Sequence, residues 1–248
     1  MAALRALVSI YRLLIILFTC LFMIPVVLLS YAIGKSNEWG FYNLRRIWSG
    51  TILFFCFLRV EVSGLKNAQH EKPVIYLSNH KSEYDWYIFT HYVNKIWRAV
   101  IKTELRNFFI GGPMSEKTGQ IFHAKGEGID KLLEKCRPYI ENGDSILMFP
   151  EGRRTRSEYL DEFQTGAFVM AAHFKIPLVP AVIVEEYPNN RAGLFGRKYG
   201  HNPGKIRFKV LPPLNYPGKS RKAAEHLSIK AHGIMLAEIK NTFHEFHS

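Results

Sequence analysis

The sequence predicts an α/β fold: a largely parallel central sheet flanked by helices, with an N-terminal membrane-anchoring helix or helical hairpin. Three observations predict it. Beyond Arg59, short β-rich runs alternate with helical patterns. Before it, Leu13–Ile33 is an uncharged run of about 21 residues, which as a helix reaches about 30 Å, the depth of a bilayer core. Finally, 248 residues that are 48% hydrophobic and 14% aromatic suffice for one sizeable core plus an appendage, which excludes a disordered chain or a low-complexity fibre.

At the N-terminus, Arg5 and Arg12 precede the apolar run, and Pro25 would kink a helix there. A cleaved signal peptide is the other reading, with Ser30-Tyr31-Ala32 as a weak cleavage site. It fits less well, because a signal core is only about 7–15 residues. Ile47–Leu58, led by Arg45 and Arg46, is about 12 residues and too short to span. It lies in the interface, pairs with the first helix as a re-entrant hairpin, or packs in a core. Trp39, Phe41, Tyr42 and Trp48 flank the two runs, and Trp and Tyr favour the headgroup level.

The expected strands are Arg59–Val62, Pro73–Leu77, Arg98–Lys102, Ser145–Phe149, Leu178–Val184 and Lys205–Leu211. The expected helices are Tyr84–Lys95, Glu127–Glu141 and Glu158–His173. Val184–Gly204 is rich in Gly, Asn, Pro and Arg and reads as a loop. Lys219–Phe246 reads as a basic amphipathic helix packed on the domain, the alternative being a helix on a membrane surface.

Lys and Arg number 33 against 21 Asp and Glu, a formal charge of +12. Such a surplus implies an anionic partner: nucleic acid, anionic lipid headgroups or a phosphorylated substrate. The charge is spread along the chain and no nucleic-acid-binding motif accompanies it, so no nucleic-acid partner is expected. Cys20, Cys56 and Cys136 are odd in number and lack metal-ligand spacing, which argues against a disulfide scaffold. His70, His91, His123, His173 and His201 have no ligand-spaced neighbour, and His244 and His247 lack a third ligand, so no metal is expected.

Two constellations carry chemistry. The first, Ser78-Asn79-His80-Lys81-Ser82-Glu83-Tyr84-Asp85, follows an expected strand. If His80 lies in the turn and Asp85 in the first helical turn, the carboxylate can fix the imidazole tautomer, and the other nitrogen can take a proton from a substrate hydroxyl. The same residues fit a capping box running from Ser82 to Asp85, in which Asp85 only caps a helix. Spacing alone leaves both readings open. The second constellation is Phe149-Pro150-Glu151-Gly152-Arg153-Arg154-Thr155-Arg156, again after a strand. Gly152 permits a tight turn, and the arginines suit bidentate phosphate binding or form a solvated basic turn. Thr155 and Glu158 have capping-box spacing.

His80-x4-Asp85 (the HX4D motif) and Phe149-Pro150-Glu151-Gly152 resemble the two signature blocks of the glycerolipid acyltransferases, in particular the PlsC-type 1-acylglycerol-3-phosphate acyltransferases. Lys102-Thr103-Glu104-Leu105 resembles the family's K-x-E-L, and Gly119–Lys125 its G-x-x-F-I-D-R. Phe163–Ala167 resembles F-K-x-G-A, and Val179–Val182 resembles V-P-V. The resemblance covers roughly residues 60 to 215. Arg154 keeps the arginine of the family's E-G-T-R-S, while Arg153 stands for threonine. Ala124, Lys125 and Gln164 stand for the common aspartate, arginine and lysine.

The resemblance implies transfer of a fatty acyl group from acyl-CoA or acyl carrier protein to the free hydroxyl of 1-acylglycerol 3-phosphate, giving phosphatidate. The same chemistry on a lysophospholipid, lysocardiolipin, an ornithine-type lipid or glycerol 3-phosphate is the alternative. A catalytically silent membrane lipid-binding protein is an alternative of another class. His80 is implied as general base, with Asp85 orienting it. Glu151, Gly152, Arg153, Arg154 and Lys125 are implied at the acceptor and its phosphate. The thioester donor is a substrate, and no further cofactor is implied. The implied organisation is a membrane anchor over 1–58, a catalytic domain over 59–215 facing the cytoplasm, and a C-terminal amphipathic helix over 216–248. The partners are the bilayer, the lysolipid and the thioester.

Overall fold

The computed structural model describes residues 2–32, 38–82, 84–107, 112, 115–116, 118–155, 159–186, 205–216, 218 and 220–248. Of the residues singled out above, Ile33, Glu83, Arg156, Glu158, Lys219 and the loop over 187–204, His201 included, lie outside that set. So do the side chains of Arg5, Trp39 and Phe41.

In chain order the elements are α1 (Ala2–Ala32), α2 (Glu38–Phe55), β1 (Arg59–Ser63), β2 (Ile75–Ser78), α3 (Tyr84–Tyr92), β3 (Trp97–Lys102), β4 (Ile121–His123), α4 (Ile129–Glu141), β5 (Ser145–Met148), α5 (Gly166–Phe174), β6 (Leu178–Glu185), β7 (Lys205–Val210) and α6 (Arg221–His247). The strands form one sheet in the order β1-β7-β6-β2-β5-β3-β4, and every neighbouring pair is parallel except β6 with β7. The expected largely parallel sheet is therefore present. β4 was not expected: Ile121-Phe122-His123 is too short to show a period, and its pairing with Val100, Ile101 and Lys102 makes it a strand.

β2 and β6 are buried along their whole length, as continuous apolar runs in a doubly covered parallel sheet must be. Alternation along β2 assigns the two layers. Ile75 and Leu77 face a core with α4, α5 and α6, and Tyr76 faces a core with α3 and residues of α1 and α2. β2 and β5 lie side by side with Leu77 opposite Met148. Their carboxyl ends thus deliver both motif turns to one edge of the sheet, where open α/β sheets place ligands.

The helix expected from Glu158 begins only at Gly166. Residues 159–164 are non-helical because they serve the second motif turn: Asp161 N–H donates to Glu151 and Gln164 N–H to the Pro150 carbonyl. The C-terminal helix packs on the sheet, as expected, through Ala224, Ser228, Ala231, Met235, Ile239 and Thr242. Ion pairs Lys209–Glu238 and Arg207–Glu245 flank this stripe. Exposed pairs contribute about 0–1 kcal/mol each, against about 1.5–3 kcal/mol for a fully buried Met or Ile, so the stripe holds the helix.

α1 and α2 form an antiparallel pair. Buried Arg12, a third of the way along α1, donates to the Cys56 carbonyl just past α2 at 3.0 Å, and Tyr11 stacks on Phe57. Among the described residues no helix is long and apolar enough to cross a membrane. The single span expected over Leu13–Ile33 is thus not found; its helix instead folds against a second one, with a charged residue buried at the base. Tyr42 was expected at the headgroup level, yet it is buried, with its hydroxyl bonded to the Val93 carbonyl and the Lys95 N–H. The outer face of α1 carries Leu7, Ile10, Leu14, Phe18 and Leu21, each more than half exposed and three or four residues apart.

Candidate active site

The first motif turn begins where β2 ends. The buried Asn79 amide exchanges two 2.8 Å hydrogen bonds with the backbone of Ile183, fixing the strand end against β6. The chain then turns so that His80 precedes α3 and Asp85 lies in its first turn. His80 Nδ1 is 2.9 Å from Asp85 Oδ2. The same oxygen accepts the N–H groups of Lys81 (2.6 Å) and Ser82 (2.9 Å), and Oδ1 accepts the Ser82 hydroxyl (3.2 Å). Capping and orienting are therefore one arrangement: Asp85 is fully buried and holds the turn and the imidazole together. The His80 ring stacks on Phe149 at 4.4 Å. With Nδ1 committed to a carboxylate, Nε2 is the basic nitrogen, and His80 lines the cleft.

The second motif turn begins where β5 ends. Glu151 is buried. Its Oε1 accepts the His80 N–H at 3.1 Å and lies 2.8 Å from the Thr155 hydroxyl, while Oε2 accepts the Asp161 N–H at 3.0 Å. Burial pushes the Glu151 carboxyl up from its ordinary range, and these three hydrogen bonds oppose that rise. The Thr155 N–H and hydroxyl both reach the His80 carbonyl, at 2.7 and 3.0 Å. Gly152 sits at φ 67°, which favours glycine, and a Cβ there would also have to displace the end of the flexible Gln164 side chain.

The two turns open into a cavity of about 2180 Å³ lined by His80, Glu151, Gly152, Arg153, Arg154 and Lys125. The structure thus places His80, Glu151, Gly152, Arg153, Arg154 and Lys125 around one cavity, with Asp85 buried behind His80. Arg153 Nε is 3.2 Å from Asp161. Lys102 adds a further cation to the wall. The loop carrying Lys125 is held by Glu127, which takes Lys135 Nζ at 2.6 Å and the Ala124 N–H at 2.9 Å. Those two bonds bring the Glu127 carboxyl down to about 2. Burial lowers the Lys81 ammonium, partly offset by Glu151, Glu185, Asp161 and Asp85. Among the described residues no group of three or more His, Cys, Asp or Glu side chains could hold a metal ion.

Sequence reasoning missed Thr155 and Asp161 as members of the site. Thr155 was visible only as a possible helix cap, and Asp161 joins the site through its backbone N–H to Glu151 and its carboxylate to Arg153. It also gave no place to His123 and His173, which both line the cavity wall. Burial lowers the His123 imidazole despite Glu127 at 3.1 Å.

Residues 59–184 match the family model described as Acyltransferase. The chain is 26% identical over 191 residues to the 1-acyl-sn-glycerol-3-phosphate acyltransferase of Haemophilus influenzae, covering 76% of this chain and 77% of that protein. It is 26% identical over 225 residues to the protein of the same name from Saccharomyces cerevisiae, covering 86% and 70%. A chloroplastic relative from Brassica napus, BAT2, is 26% identical over 177 residues, 69% of this chain, and the match spans about half (49%) of its length. The crystal structure of PlsC from Thermotoga maritima superposes with a TM-score of 0.79 over 98% of both chains at 20% identity, a likeness of fold. With a family model matched over half of its residues, and with both signature turns meeting at one sheet edge, the chain belongs to the acyltransferase family.

Proposed function

We propose that the protein is a membrane-bound O-acyltransferase that moves a fatty acyl group from acyl-CoA or acyl carrier protein to the free hydroxyl of 1-acylglycerol 3-phosphate, giving phosphatidate. The observation that carries this is the 2.9 Å His80–Asp85 contact in a cleft with Lys102, Lys125, Arg153 and Arg154 in its walls. The names of the relatives supply the acceptor.

The acceptor hydroxyl gives its proton to His80 Nε2 as its oxygen attacks the thioester carbonyl. A tetrahedral intermediate forms and collapses, the C–S bond breaks, and the imidazolium returns the proton to the leaving thiolate. Asp85 stabilises the imidazolium while it exists. No covalent enzyme intermediate is needed, since the nucleophile belongs to the substrate. A positioned base of this kind contributes about 10²–10⁴-fold. Arg154 and Lys125 meet the acceptor phosphate. Both oxygens of Glu151 are bonded to protein donors, so its part is to hold the two turns in place.

The exposed apolar stripe of α1 supports seating in one leaflet. Phe54, Phe55 and Phe57 at the end of α2 extend it. In this reading the catalytic segment faces the cytoplasm, where thioester donors are made. The test is acyl transfer by purified, detergent-solubilised protein. It uses labelled acyl-CoA and acyl carrier protein, and an acceptor panel of 1-acylglycerol 3-phosphate, glycerol 3-phosphate and several lysophospholipids. Transfer to the first acceptor, lost in His80→Ala, supports the reading; transfer only to another acceptor contradicts phosphatidate synthesis and keeps the chemistry.

A further inference from the structure

The cavity does not stop at the motif turns. It continues as a trough along the outer face of α5, floored by half-buried Gly166, Val169 and Ala172, which recur at helical spacing. Ile129 and Leu132 of α4 and Ala224 of α6 line it as well. The nine residues of α5 run for about 13 Å. α5 leads from the second motif turn to the opposite edge of the sheet, so the trough ends far from His80. There it is lined by exposed His173 and Lys175 and by Arg221, whose side chain is 88% exposed. The acids nearby are Glu225, 3.2 Å from Arg221, and Glu141, 3.5 Å from Arg137, which also reaches His173 at 3.0 Å.

This shape suits one substrate part better than another. A fatty chain gains from an enclosed apolar tunnel; here it would lie in an open groove of small side chains and end among cations in water. A pantetheine arm has amides and short methylene runs, tolerates an open groove, and ends in phosphate. The layers agree: α1 and α2 pack with the opposite face of the sheet, so the trough lies on the side away from the exposed apolar stripe. A water-soluble donor then approaches on one face and the lipid on the other.

We infer that the α5 trough docks the pantetheine arm of a coenzyme A thioester, with the coenzyme phosphates on Lys175 and Arg221. The inference rests on acyl transfer at His80, and direct binding separates it from that reading. Titration calorimetry with free coenzyme A needs no turnover. Lys175→Glu combined with Arg221→Glu should weaken coenzyme A by about tenfold or more, as loss of charge-assisted phosphate contacts does, and wild-type binding should fall with added salt. In turnover the double variant should raise KM for acyl-CoA and leave that for S-acylpantetheine, which lacks the phosphates, in place. Val169→Trp, which fills the floor, should raise KM for both donors. Coenzyme A affinity equal in wild type and double variant overturns the inference. So does a KM that rises equally for both donors in the double variant. Charge-dependent coenzyme A binding without acyl transfer to any acceptor would uphold the docking site and sink the transfer reading.

Discussion

Glu151 Oε1 accepts the backbone N–H of His80 at 3.1 Å, across 71 positions of sequence. The bond joins the two motif turns directly, and Thr155 reinforces it from the His80 carbonyl side. The His80 imidazole is therefore held twice: by Asp85 through its ring and by Glu151 and Thr155 through its backbone.

Removing the Glu151 acceptor should hurt both stability and rate. Glu151→Ala leaves buried donors without partners, at about 1–3 kcal/mol for each group. Denaturant unfolding should show a loss of that order, and kcat should drop with it. An unfolding free energy within error of wild type would contradict the clamp.

The same carboxyl sets a pH dependence. Its folded-state pKa is raised by burial, so the folded state binds its proton more tightly than the unfolded chain. The stability linked to it is full below the ordinary carboxylate range and declines as pH rises through the raised value. Glu151→Gln, which cannot ionise, should flatten unfolding free energy against pH over that window. An unchanged slope would show that the carboxyl is not the source.

Gly152 gives a test that separates two costs. Gly152→Ala meets both the Gln164 amide and a left-handed φ of 67°. Gln164→Ala clears the first obstacle and not the second. The double variant should recover part of the loss, leaving about 1–2 kcal/mol of backbone strain by thermal or denaturant unfolding. Full recovery would mean that the turn tolerates a side chain.

The α1 stripe should matter for membranes and not for folding. Phe18→Ser and Leu21→Ser remove exposed groups, each able to contribute about 1.5–3 kcal/mol when buried in lipid. Flotation with anionic vesicles should fall by about tenfold or more in the pair, with the melting temperature unmoved. Undiminished flotation would place membrane contact elsewhere.

Much of this was legible in the sequence because the signals were local. The strands carrying both motifs are continuous apolar runs bounded by turn residues, so Pro73–Leu77, Ser145–Phe149 and Leu178–Val184 were readable as strands and differ from β2 (Ile75–Ser78), β5 (Ser145–Met148) and β6 (Leu178–Glu185) only at their ends. His80 and Asp85 were readable as a pair but not as a geometry: only the backbone of Lys81 and Ser82, folded onto the carboxylate, lets one residue cap and orient at once. The start of α5 was misplaced because Asp161 and Gln164 spend their N–H groups on the second turn, a long-range demand that local spacing does not carry. Local pattern left three options for Ile47–Leu58; in the structure Ile52, Leu53 and Cys56 pack in a core with α3 and the sheet, while Arg12 of α1 bonds the Cys56 carbonyl, long-range contacts that spacing does not carry.

The most direct test of the central claim is the initial rate of acyl transfer from labelled acyl-CoA to 1-acylglycerol 3-phosphate by wild type and by folded His80→Ala. Wild type should give phosphatidate, and the variant a rate lower by about 10²–10⁴-fold. Equal rates from the two proteins would contradict that claim.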